Sequence, residues 1–215
     1  MSCRAPVPPL DPLFERWPAG QLIHVIHDTR YAPHSFNPGV DELGRPRNPT
    51  RFAPIRDRNG AVVPYLYGGS TRECAIFETV FHNVPLAAAD KFVDLDDFAH
   101  RGHGHVTASR DLLLVDLTTD GLHRLKLPKE ELITSAARDY PETARWAEAL
   151  HQQFKDIDGL MWMSRQRDRD RALVLFGDRV QGALDGAPQG GTLAHNSELR
   201  ERILELALRA GIEAC

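Results

Sequence analysis

The sequence predicts an α+β fold, and three observations carry that expectation. Short runs rich in β-branched and aromatic residues recur along the chain, at residues 22–26 (LIHVI), 62–67 (VVPYLY), 112–117 (LLLVDL) and 172–176 (ALVLF). Two stretches, residues 143–155 and 197–210, place their apolar side chains at helical spacing. Strands and helices do not alternate as regular βαβ units, so a doubly wound parallel sheet is not expected. A chain of 215 residues suits one domain, and no internal repeat is visible.

Taken in order, residues 1–20 are Pro-rich and read as an extended arm, leaving residues 21–215 as a single domain. Residues 30–60 carry many Pro, Arg, Asn, Asp and Gly and read as one long loop, a kind of segment that in folded domains is usually functional or disordered. The β-rich run 62–67 contains Pro64, so it is an edge strand or starts late. Ser70 followed by Glu73 matches a capping box, and Asn83 with Pro85 marks the expected end of the helix it opens. Residues 86–111 are polar, hold three histidines and read as an irregular insertion. Pro128 opens a short helix to Ser135, Trp146, Leu150 and Phe154 set the period of the next, and residues 159–164 form a strand or turn. Residues 182–191 read as a flexible Gly/Pro loop. Asn196 or Ser197 caps a final helix that buries Leu199, Ile203, Leu206 and Ala210 and stops at Gly211.

Composition excludes several classes. A net charge of −4 argues against a general nucleic-acid binder, so no direct nucleic-acid contact is expected. Three cysteines (Cys3, Cys74, Cys215), an odd number without a Cys-x-x-Cys pair, indicate a reducing compartment. The first residues contain no apolar signal-peptide core, and no apolar run approaches the ~18 residues of a membrane span. The expected location is the cytosol, with no membrane partner. Phosphate-loop, H-E-x-x-H, G-x-S-x-G and G-x-G-x-x-G motifs are all missing. The segment 100–105 (HRGHGH) has the residue type of a zinc loop. Its spacing is tight, no Cys or Glu cluster accompanies it and its glycines suggest floppiness, so no metal is assigned. Cys74 falls on an apolar arc, where a buried inert thiol is the expectation.

The most informative stretch is residues 64–85 (PYLYGGSTRECAIFETVFHNVP). On a helical wheel Ile76, Val80, Val84, Phe77, Phe81 and Cys74 make one apolar arc, and Glu78 falls at its edge beside the small residues Thr71, Cys74 and Ala75. Such a carboxylate is either a solvated rim charge or a group held for use. His82, one turn on, is either its neighbour or a surface residue. Tyr67 ends the preceding strand, where it packs in the core or faces a ligand.

Four pieces in this order resemble the RES-domain family. They are Arg51-Phe52-Ala53-Pro54 after Phe36-Asn37-Pro38; Tyr67 followed by Glu78 and His82; the run 158–165 (DGLMWMSR) containing Ser164; and the strand 172–179 (ALVLFGDR). The resemblance spans residues 22–180. Two details depart from the family pattern: Pro49-Thr50-Arg51-Phe52 stands where Gly-x-Arg-Trp is common, and Trp162 stands where Tyr is common.

The resemblance implies a split, largely antiparallel sheet with flanking helices, similar to ADP-ribosyltransferases. It implies a toxin of a toxin–antitoxin pair, with an Xre-like helix-turn-helix antitoxin as partner. It implies NAD+ as substrate rather than as cofactor. NAD+ would be consumed by hydrolysis or phosphorolysis of the nicotinamide–ribose bond, or alternatively used to ADP-ribosylate a protein. In that reading Glu78 stabilises the positive charge developing on the ribose, Arg51 binds the pyrophosphate, Tyr67 stacks on nicotinamide, Ser164 contacts the sugar or positions Glu78, and His82 stands behind Glu78. A non-catalytic partner-binding module and a ribonuclease are the competing classes, and a homo-oligomer is compatible with everything above.

Overall fold

The computed structural model of the chain describes residues 3–85 and 87–215. The first strands are β1 (Leu13–Trp17), β2 (Ile23–Asp28), β3 (Ile55–Arg56), β4 (Val62–Val63) and β5 (Tyr65–Gly69), followed by helix α1 (Arg72–Phe77). Then come β6 (Phe92–Val93), β7 (Arg101–Ala108), β8 (Leu112–Asp116) and helices α2 (Thr119–Leu125), α3 (Lys129–Leu132) and α4 (Tyr140–Gln153). The chain continues through β9 (Gly159–Met163), β10 (Arg171–Phe176), α5 (Gly177–Val180), β11 (Leu184–Gln189), α6 (Ser197–Ala210) and β12 (Glu213–Ala214).

Eight strands form one sheet in the order β1-β8-β9-β10-β5-β2-β7-β11. Every pair in it is antiparallel except β8 with β9. The seam between β5 and β2 rests on a single pairing, His24 with Gly69. A five-stranded half and a three-stranded half therefore meet at one point. The fold is α+β with a mixed, largely antiparallel sheet, as the sequence led one to expect. Among the described residues no helix is long and apolar enough to cross a membrane.

Alternation along the strands separates two cores. On β10, Ala172, Val174 and Phe176 join a core with Trp162, Leu160 and the α4 residues Trp146, Ala147 and Leu150. Leu173 and Leu175 join the opposite core with Trp17, Val25, Val106 and Leu114. Burial on both faces explains why β10 reads as an unbroken apolar run. A third core packs α1 and the turns after it (Ile76, Phe77, Val80, Phe81) against Leu199, Ile203 and Leu206 of α6. That helix begins as the sequence signalled: Asn196 Oδ1 accepts from the Leu199 N–H at 3.0 Å, and Gly211 closes it at φ 65°.

Several expectations change. The N-terminal segment is no free arm, because β1 pairs along its length with β8 and Trp17 is buried. Residues 86–111 are not an irregular insertion. They contain β7, which pairs with both β2 and β11. Its sequence, RGHGHVTA, scores as polar, yet Gly102, His103, Gly104 and Val106 are buried. Residues 182–191 likewise hold the edge strand β11. Thr71, not Ser70, caps α1, with Oγ1 accepting from the Cys74 N–H at 3.0 Å. Ser70 instead ties β10 down: its Oγ accepts from the Arg171 N–H at 2.9 Å, and its own N–H donates to the Arg171 carbonyl at 2.8 Å. Helix α1 stops at Phe77 rather than near Asn83: the Ile76 carbonyl is shared by the N–H groups of Thr79, Val80 and Phe81 at 3.2, 2.7 and 3.3 Å, so the regular ladder of one bond per carbonyl does not continue. Pro64 divides the run 62–67 into β4 and β5.

Candidate functional site

Glu78 is the C-cap of α1, its N–H still donating to the Cys74 carbonyl at 2.9 Å. The short helix is aimed by the β5–α1 turn, where Gly69 passes so close to Cys74 that a Cβ would stand 2.8 Å from its Sγ. The Glu78 side chain keeps 13% exposure and does not point into bulk water. Ser164, fully buried at the end of β9, donates its hydroxyl to Glu78 Oε1 at 2.6 Å. The Ser164 N–H donates to the Asp170 carbonyl at 2.9 Å, and Asp170 pairs with Arg167 at 2.6 Å, so the β9–β10 connection fixes the serine. Arg167 in turn lies 5.6 Å over the Phe77 ring.

Burial opposes ionisation of Glu78, but His82, Ser164 and the charge of Arg51 outweigh it, and the carboxyl is held below its ordinary range. The Ser164 contact is a true hydrogen bond, whereas His82 Nδ1 stands 3.8 Å from Oε2, beyond bonding reach. His82 is oriented from its other side, with Nε2 2.8 Å from the Tyr140 hydroxyl.

Arg51 is 3% exposed. Its Nη1 donates to Ser135 Oγ at 2.9 Å and to the Leu132 carbonyl at 3.2 Å, and its guanidinium lies 5.1 Å from the centre of the Tyr140 ring. The Thr143 hydroxyl donates to the Arg51 carbonyl and anchors the backbone. Among the described residues no carboxylate pairs directly with Arg51, and its Nε and Nη2 make no hydrogen bond to protein. Burial lowers its pKa, while Tyr140 and Glu78 act the other way. The guanidinium is thus buried with donor nitrogens that no protein acceptor takes up among the described residues.

Tyr67 is half-buried. Its hydroxyl lies 2.9 Å from Thr50 Oγ1 and accepts from the Phe52 N–H at 3.0 Å, binding β5 to the Arg51 segment. Its ring meets Trp162 and Tyr65 edge-on at 6.1 and 5.7 Å. Burial raises its pKa, so the phenol stays protonated. Cys74 is buried and its thiol is pushed up by burial, in keeping with a packing role.

The fold thus brings four of the five residues singled out in the sequence into two linked clusters, Glu78–Ser164–His82 and Arg51–Tyr140, with Tyr140 touching both. Tyr67 is joined to the second through Thr50 and Phe52. Sequence reasoning missed Tyr140, Ser135 and Arg165. Arg165 Nη2 donates to the His82 carbonyl at 3.2 Å, and its Nη1 lies 3.5 Å from the Ser135 carbonyl. Arg165 follows Ser164 directly, which was a usable signal; Tyr140 and Ser135 have no local one. Two clefts open elsewhere, one lined by His24, His103 and His105 and one by Arg58, His151 and Asp178.

A comparison with curated proteins returns no match. The family model described as RES domain matches residues 22–195. That match covers the sheet from β2 to β11 and every residue of both clusters. The chain therefore belongs to the RES-domain family.

Proposed function

We propose that this chain cleaves the nicotinamide–ribose bond of NAD+ and acts as the toxin of a toxin–antitoxin pair. One observation carries the chemistry: a buried arginine without a carboxylate partner sits in the same side-chain network as a carboxylate kept ionised and locked by a serine. A dinucleotide offers the matching pair of charges, an anionic pyrophosphate and a ribose carbon that turns cationic as the pyridine leaves.

Glu78 faces the developing oxocarbenium charge. At ~4 Å and an effective dielectric near 20, opposite unit charges attract by roughly 4 kcal/mol. Expressed only in the transition state, that is about three powers of ten in rate. Ser164 holds the carboxylate in one rotamer, so little reorganisation accompanies reaction. The free edge of Arg51 takes the pyrophosphate, with Arg165 as the neighbouring cation. The Tyr67 ring supplies the aromatic surface for nicotinamide. His82 and Tyr140 link the two ends of the site. An antitoxin that covers Glu78 and Arg51 would silence the toxin.

The test is to incubate the purified chain with NAD+, with and without inorganic phosphate, and identify products by mass. Released nicotinamide with ADP-ribose, its 1″-phosphate or an ADP-ribosylated protein supports the reading and names the acceptor. Intact NAD+ in every condition overturns it.

A further inference from the structure

We propose that His24, His103 and His105 form a second site, which binds one Zn2+ ion through three imidazoles and leaves its fourth position open to the cleft they line. It is separate from the Glu78 cluster and independent of the NAD+ reading.

Strand pairing creates the site. His103 and His105 are two apart on β7 and so share one face, and the antiparallel register sets His24 of β2 directly opposite His105. One donor atom from each lies within 4.8 Å of the other two. His24 Nδ1 and His103 Nε2 are 3.0 Å apart. Three Zn–N bonds at tetrahedral angles need nitrogens about 3.3 Å apart, so modest side-chain rotation completes the geometry.

The glycines between these histidines have the opposite effect to the one their sequence suggests. They sit on the other face of β7, where a Cβ on Gly104 would stand 2.6 Å from Pro33 and one on Gly102 would stand 2.7 Å from Thr29. Close cover by these residues, and pairing with strands on both sides, holds the platform still. A rigid set of ligands on paired strands is what a preorganised metal site needs.

Simple packing explains the trio poorly. The ring centroids are only 4.7 to 5.3 Å apart, and His103 is 5% exposed. Among the described residues, its one side-chain hydrogen bond is to another imidazole. Imidazoles without a carboxylate among them favour Zn2+ over Mg2+ or Ca2+. The cleft of about 290 Å³ is also lined by Arg72, Gln189, Asn196 and Glu198, with Arg72 and Glu198 paired at 2.8 Å. A water or small anion beside Arg72 fits the fourth position.

The test uses the full chain, stripped with a chelator and titrated with Zn2+ against a chromophoric competitor, with metal content read by mass spectrometry. One zinc per chain is expected, together with the strong visible absorption of a four-coordinate Co2+ derivative. His24→Gln and His105→Gln, at partly exposed positions, should each weaken zinc binding at least about 100-fold. His100→Gln, on the exposed approach to β7, should bind as the parent does. Circular dichroism checks folding, and the imidazole 15N shifts of the unsubstituted chain give a second readout should a variant not fold. A metal content near zero, unchanged affinity in both variants, or 15N shifts unmoved by zinc would overturn the site.

Discussion

Replacing Glu78 by Gln removes one charge and little else, which makes it the sharpest perturbation of the proposed chemistry. The Gln carbonyl oxygen still accepts the Ser164 hydroxyl, now 2.6 Å from Oε1, so the loss to the fold is the charge assistance of one hydrogen bond, about 1 kcal/mol. For a chain of this size that corresponds to a fall of about 2–4 °C in Tm. The catalytic loss is larger. In the proposed reaction a carboxylate with 13% exposure, acting through an effective dielectric near 20, would contribute roughly 4 kcal/mol at ~4 Å, or about a thousandfold in kcat. The assay is nicotinamide release from NAD+ by purified parent and variant, with Tm measured on the same samples. In cells, Glu78→Gln should restore growth upon induction. A folded variant within about threefold of the parent, a difference under about 1 kcal/mol, would refute the electrostatic role of Glu78.

Two further outcomes follow from the same geometry. Arg51→Lys should raise KM for NAD+ more than it lowers kcat, by about 10–100-fold, because a lysine cannot bond Ser135 and the Leu132 carbonyl while presenting a second edge to a phosphate; an unchanged KM would remove the arginine from the binding site. Acid should destabilise the fold. Glu78 and Asp178 are both held below the ordinary carboxylate range despite burial, Glu78 by His82 and Ser164 and Asp178 by His151 and Arg179. A folded pKa below the unfolded one gives stability that is complete above the unfolded value and lost as pH falls through the folded one. The urea midpoint should therefore drop below about pH 4, and a midpoint that holds or rises there would contradict the assignment.

Much of the local architecture was legible because local rules decide it. The run ALVLF became β10, buried on both faces, and Asn196 and Gly211 bound α6 where capping preferences place them. Glu78 and Ser164 stood out through the family resemblance, although the helical wheel that set Glu78 on a rim assumed a helix running past it, whereas α1 ends one residue before. The largest misreading, of residues 86–111, has a physical cause. Hydropathy recognises a strand by the apolar side chains it buries, and the first half of β7 buries Gly102, His103 and Gly104 instead, so a strand in the interior of the sheet looked like a polar insertion.

The amino-acid order settled which segments are strands and helices wherever one face is apolar, and with it the mixed class of the fold. Which side chains meet was settled only by packing. Ser164 reaches Glu78 across 86 positions, Arg51 reaches Ser135 across 84, and His24 faces His105 because β2 happens to pair with β7 in that register. No periodicity within a segment encodes such partners. They arise where elements far apart in the chain come to share one buried space, which only the tertiary structure decides.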